Sequence, residues 1–95
     1  MEKDNAVTHN RQKRQFEMPL GDDAAALISY EETGEGVLTI SHTEVPEEYE
    51  GQGIGSKLVR GTLEILRAEN LKIVPMCPFV AAYLKRHPEY QSLIA

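Results

Sequence analysis

The chain of 95 residues contains one cysteine and no tryptophan. A single cysteine excludes an intramolecular disulfide and is typical of a reducing compartment, so we expect a cytoplasmic location. Only three histidines accompany the cysteine. These residues are too few, at ligand spacing, to predict a structural zinc site, and we expect no metal centre.

The sequence also lacks long apolar runs and an excess of positive charge. No segment approaches the roughly 20 apolar residues that span a bilayer, and the polar N-terminus has no apolar signal region. The formal net charge is −5, and the small basic cluster at residues 11–14 is better explained as a solvated turn. We therefore expect neither a membrane nor nucleic acid as a partner. A single domain over residues 1–95, monomeric or weakly dimeric, fits this length.

The N-terminal half shows the alternation of apolar and polar residues that is typical of β-strands. This alternation predicts strands at residues 7–10, 14–18, 24–31 and 37–45. Breaks rich in glycine, proline or aspartate, at residues 19–23 and 32–36, predict an antiparallel meander. Residues 1–6 are polar and are predicted to be frayed.

The C-terminal half shows helical periodicity. A helix is predicted over residues 55–70, with an apolar face formed by Leu58, Val59, Thr62, Leu63, Ile65 and Leu66. A short strand at 71–74, a helix at 78–86 and a short helix at 88–94 follow. The order strand, helix, strand predicts a parallel pair. The predicted fold class is α/β (α+β), an antiparallel meander ending in one parallel βαβ unit.

Three glycines, Gly51, Gly53 and Gly55, lie between the last strand of the meander and the long helix. Glycine lets a backbone approach a ligand closely, and the free amides of a helix N-terminus attract anions. The spacing fits neither a dinucleotide fingerprint nor a P-loop. We interpret the loop as a binding site for the pyrophosphate of a nucleotide-containing cofactor. The alternative is a flexible strand-to-helix turn.

Ligands bind at the carboxyl ends of parallel strands, which places residues 42–45 and 75–78 beside this loop. His42 or Glu44 is a candidate general base, although either could be a structural or solvated side chain. Cys77 precedes a helix N-terminus and is a candidate nucleophile or a small buried hydrophobe. Strand alternation predicts one shared face for Leu38, Ile40, His42 and Glu44.

Four motifs together resemble the small, single-domain members of the GNAT-type N-acetyltransferases: His42–Pro46, Gly51–Leu58, Cys77–Phe79 and His87–Tyr90. The resemblance covers roughly residues 14–92. It implies a GNAT-like fold with a splayed cofactor cleft and acetyl-coenzyme A as cofactor. It also implies that the cofactor is bound by Val45, Gly51, Gln52, Gly53, Ile54, Gly55 and Ser56.

The resemblance implies transfer of an acetyl group from acetyl-coenzyme A to an amine on a small molecule or a protein, with Cys77, His42 and Glu44 as catalytic candidates. Glu50 stands where the superfamily usually has Gln or Arg, and we expect its carboxylate to weaken pyrophosphate binding. The position of the superfamily's general-acid tyrosine is occupied by Leu84, with Tyr83 one residue away. The alternatives are a non-catalytic acyl-coenzyme A binding module and a protein-interaction domain with an incidental glycine turn.

Overall fold

In the computed structural model, which describes residues 6–21 and 23–95, five strands form one sheet in chain order. They are β1 (Thr8–Asn10), β2 (Gln15–Gly21), β3 (Ala24–Gly34), β4 (Val37–Glu44) and β5 (Lys72–Pro75). The first four pair antiparallel, and β4 pairs parallel with β5. The predicted meander with one parallel βαβ unit is therefore confirmed. Fraying is predicted over residues 1–6, of which residues 1–5 lie outside the described residues.

Two α-helices, α1 (Ile54–Ala68) and α2 (Pro78–Arg86), follow the meander. Short 3₁₀ helices span Glu47–Tyr49 and Pro88–Leu93. The end of α1 has a defined cause: Asn70 adopts a left-handed φ of 58°, and the Leu71 amide donates to the Leu66 carbonyl at 2.9 Å. Across the described ranges, every helix is too short or too polar to cross a bilayer.

The core lies between one face of the sheet and the two helices. Alternate residues of β2 and β3 are buried there, as the sequence pattern predicts: Phe16, Met18, Ala26, Ile28 and Tyr30. The helix α1 covers them with the predicted apolar face, of which Leu58, Val59, Thr62, Leu63 and Leu66 are buried. Ile65 is only partly buried.

Two strands extend beyond their predicted ends. β2 continues through Pro19 to Gly21, although the sequence suggests a break at Pro19. The register of β2 against β3 shifts between Pro19 and Gly21, and an irregularity of this kind is a place where a strand tolerates a residue without an N–H group. β3 continues to Gly34, which leaves only a tight turn before β4.

Gly61 lies inside α1, where glycine costs about 1 kcal/mol relative to alanine. A Cβ atom at this position would collide with the side chain of Val7. The missing side chain therefore lets the segment that leads into β1 pack directly on the helix.

Candidate functional site

The strands β4 and β5 separate after four paired residues. Residues 37–40 pair with residues 72–75, and the amides of Met76 and Cys77 then both donate to the Ile40 carbonyl, at 3.0 and 3.2 Å. Beyond this shared acceptor the two strands no longer pair. The gap between them is the splayed cleft that the resemblance implied.

A cavity of about 480 Å³ occupies this gap. Its walls come from the end of β4, the loop before α1, and the first turns of α1 and α2. The lining residues are Thr43, Val45, Tyr49, Glu50, Gly51, Gly53, Ile54, Gly55, Ser56, Cys77, Pro78 and Phe79. Glu50 is the one charged side chain in this described lining, so the other polar groups of the lining are hydroxyls, a thiol and backbone dipoles.

The glycine loop presents its backbone to the cavity. Gly51 and Gly53 have φ values of 84° and 76°, and a Cβ at either would meet nothing within 4 Å, so the loop is open to a ligand. The first hydrogen bond of α1 joins the Lys57 amide to the Gly53 carbonyl at 3.2 Å. The amides of residues 54–56 precede this bond and project from the helix N-terminus, where anions are favoured.

Six of the seven predicted cofactor residues line the cavity: Val45, Gly51, Gly53, Ile54, Gly55 and Ser56. Gln52 does not line it. Its exposed side chain turns back along the loop, and its amide donates to the Glu48 carbonyl at 3.5 Å.

The predicted face of His42 and Glu44 is wrong because β4 contains a bulge. Ile40 pairs with Tyr30 but His42 pairs with Ser29, so Ser41 is an extra residue in the strand. After such an insertion the alternation of side chains is reversed. His42 and Glu44 therefore leave the face of Ile40 and lie on the sheet face opposite the core.

His42 and Glu44 remain neighbours on that face. Their side chains are 59% and 62% exposed, and His42 Nε2 lies 3.6 Å from Glu44 Oε2. Neither side chain lines the cavity. The bulge gives the cavity Thr43 and Val45 instead.

Cys77 lines the cavity and is 6% exposed. It is the N-cap residue of α2, although its side chain makes no capping hydrogen bond. Its Sγ lies 3.4 Å from Thr43 Oγ1. Burial acts to raise the pKa of the Cys77 thiol, but the Thr43 hydroxyl and nearby backbone amides outweigh burial, so the pKa is lowered.

Phe79 forms one wall of the cavity and remains 41% exposed. A Cβ at Gly55 would lie 2.8 Å from its ring, so the ring rests on the backbone of the first turn of α1. Sequence reasoning missed both this contact and the role of Thr43. Strand alternation could have found Thr43, because it is two residues before the predicted cofactor residue Val45.

Leu84, at the superfamily's general-acid position, and Tyr83, one residue away, are both buried in the core. Tyr83 stacks on His87 with ring centroids 4.1 Å apart. Neither side chain lines the cavity. Their contacts are those of packing residues.

Known proteins share both the sequence pattern and the fold. The family model for GCN5-related N-acetyl-transferases matches residues 15–93. Over 88 residues, or 92% of this chain, identity is 38% to Protein NATD1 of Mus musculus and 36% to Protein NATD1 of Homo sapiens, covering 80% and 78% of those proteins. The NMR solution structure of a GCN5-like protein from Staphylococcus aureus matches with a TM-score of 0.71 and 29% identity, covering 96% of this chain and 88% of that one. The chain therefore belongs to the GCN5-related N-acetyltransferase family.

Proposed function

We propose that the protein binds acetyl-coenzyme A in the cleft between β4 and β5 and transfers the acetyl group to an amine. One observation carries this proposal: the glycine loop, the α1 N-terminus and the gap between the strands all open into one cavity of about 480 Å³. That volume lies within the range of small-molecule sites, roughly 300–1,000 Å³. The open backbone at Gly51 and Gly53 fits a diphosphate.

We propose a part for each group of lining residues from its position in the cavity. Amides of the loop and of the first turn of α1 hold the pyrophosphate, and Thr43 and Val45 line the path toward Cys77. The acceptor nitrogen attacks the thioester carbonyl carbon, the C–S bond breaks, and the thiolate of coenzyme A leaves. In the alternative covalent route, the Cys77 thiolate attacks the thioester carbonyl carbon and coenzyme A leaves as its thiolate. The amine then attacks the acetyl-cysteine thioester, the C–S bond breaks, and the Cys77 thiolate is released.

The acceptor must lose a proton for either route. His42 and Glu44 form a pair on the opposite side of β4 from the cavity, where an acceptor that approaches from the open sheet face would meet them. We assign the base to this pair. Neither His42 nor Glu44 lines the cavity. This observation supports a second candidate function, a non-catalytic acyl-coenzyme A binding module.

Calorimetric titration of the reduced protein with acetyl-coenzyme A tests the site. We expect Gly53→Val to abolish measurable binding. A valine side chain is strained at a left-handed φ and would block the approach of a ligand to the backbone of the loop. Gly36→Val is the matched control, since Gly36 has a similar φ of 73° in the turn between β3 and β4 and also has no neighbour within 4 Å.

Loss of binding in both folded variants, or in neither, would contradict the loop assignment. The two candidate functions separate in a second measurement, release of free coenzyme A in the presence of a panel of amines. Turnover that falls in His42→Ala, Glu44→Ala or Cys77→Ala while acetyl-coenzyme A still binds supports catalysis. Binding without amine-dependent turnover supports the binding module.

A further inference from the structure

Thr43 and Cys77 are the two side chains that meet across the cleft near the point where β4 and β5 separate. Thr43 is on β4 and is partly buried, whereas Cys77 precedes α2 and is almost fully buried. The 3.4 Å contact between Oγ1 and Sγ joins the two sides of the cleft. Both side chains line the cavity, so a ligand in the cavity meets this contact.

We propose that Thr43 is a positioning residue for Cys77: its hydroxyl holds the sulfur toward the cavity and stabilises the thiolate by donating a hydrogen bond. Any role of this contact in the reaction with acetyl-coenzyme A rests on the proposed function. The reactivity of the Cys77 thiol can be measured whether or not that function is correct. A hydroxyl donates well to an anion, and a hydrogen bond to a charged group is stronger than one to a neutral group.

The chain itself provides the controls. Cys77 is the only cysteine, so any thiol signal comes from this position. Thr43→Val removes the hydroxyl and keeps the shape of the side chain, and Thr43→Ser keeps the hydroxyl. Thr39→Val is the matched control: Thr39 is on the same strand and also makes a side-chain hydrogen bond, to Thr33 at 2.8 Å, but it does not line the cavity.

The experiment is the pH dependence of the reaction of Cys77 with a small aromatic disulfide, 4,4′-dithiodipyridine. The thiolate attacks one sulfur, a mixed disulfide forms, and 4-thiopyridone leaves and is measured by its absorbance. We expect Thr43→Val to shift the midpoint of the rate profile to higher pH, lowering the thiolate fraction at neutral pH about tenfold. A more basic thiolate is also more nucleophilic, so the observed rate falls only about threefold at neutral pH and rises about threefold on the alkaline plateau.

The rate profiles of wild type and Thr43→Val should therefore cross. A crossing distinguishes a positioning role from a change in the access of the reagent to Cys77, because an obstructed cleft slows the reaction at every pH. Thr43→Ser should restore the wild-type midpoint, and Thr39→Val should not move it. An unchanged midpoint in folded Thr43→Val, or a uniform change of rate, would overturn the inference. Titration of the same proteins with acetyl-coenzyme A tests the proposed function separately. If the wild-type protein does not bind acetyl-coenzyme A, the proposed function is contradicted, but the result on the reactivity of Cys77 is unaffected.

Discussion

The side chain of Tyr90, in the C-terminal segment, makes a hydrogen bond and a cation–π contact with residues of α1. Its hydroxyl donates to Glu64 Oε2 at 2.6 Å, and the Arg67 guanidinium lies 5.0 Å from the centre of its ring. The side chain is buried. The hydrogen bond to Glu64, followed by burial, raises the pKa of Tyr90 above its ordinary value of 10.0.

We expect Tyr90→Phe to lower the free energy of unfolding by about 1 kcal/mol at neutral pH, because a hydrogen bond to a carboxylate is lost. A raised pKa means that this stabilisation is complete below pH 10.0, the ordinary value, and is lost as the pH rises through the folded-state pKa. Urea unfolding at neutral and alkaline pH measures both effects.

The difference in the free energy of unfolding between wild type and Tyr90→Phe should therefore decrease as the pH rises. Glu64→Gln is the control: in that background Tyr90→Phe should cost less, because the charged acceptor is already gone. A difference that stays constant at all pH values would show that the hydroxyl does not act through Glu64.

At the scale of the element, the sequence of α1 reflects the segment that packs on the helix as well as helix propensity. Gly61 is unfavourable for an isolated helix, yet the approach of Val7 leaves no room for a Cβ. The absence of a side chain at Gly61 is thus explained by the contact of α1 with the segment that leads into β1, and not by the helix alone.

We expect Gly61→Ala to destabilise the wild-type chain by about 1 kcal/mol or more, since overpacking outweighs the gain in helix propensity. In a Val7→Gly background the same substitution should instead stabilise the chain by about 1 kcal/mol, because the Val7 atoms that a Cβ at Gly61 would meet are then absent. Urea unfolding of the four proteins measures this coupling. Additive effects in the cycle would contradict the contact.

The sequence was a good guide to the elements and a poorer guide to the orientation of β4. Apolar alternation in β2 and β3 and helical periodicity in α1 arise from burial, so they appear in the residue pattern and were predicted. The glycine loop was predictable for the same reason, because a left-handed backbone at Gly51 and Gly53 requires that residue type.

The bulge at Ser41 leaves no such pattern. Serine is compatible with either side of a strand, and a single inserted residue reverses the faces of His42 and Glu44 without changing the composition. The contact of Phe79 with Gly55 was equally hidden, because it joins residues 24 positions apart on two helices. Such features depend on tertiary packing rather than on local preference.

At the scale of the whole molecule, charge opposes the proposed ligand. The protein has a net charge of −5, and coenzyme A is an anion. Glu50 brings one of the negative charges into the lining of the cavity. In the proposed complex, the backbone amides of the glycine loop would bind the phosphate groups against an unfavourable field.

We expect Glu50→Gln to tighten the binding of acetyl-coenzyme A about threefold at low ionic strength, and the gain should shrink as salt screens the repulsion. Glu48→Gln is the matched control, since it removes one negative charge from the neighbouring 3₁₀ helix and lies outside the cavity lining. Calorimetric titrations at low and high salt measure the difference. Equal gains in both variants would assign the effect to net charge and not to Glu50.

The order of strands in the sheet also implies an order of folding. Each strand pairs with the next strand in the chain, and three of the four pairings need only a short turn. The fourth, between β4 and β5, must wait for the intervening helix, because a long closure has a higher entropic cost. The cleft lies at this last junction, so we expect refolding chains to acquire native hairpins before they acquire any capacity to bind a ligand.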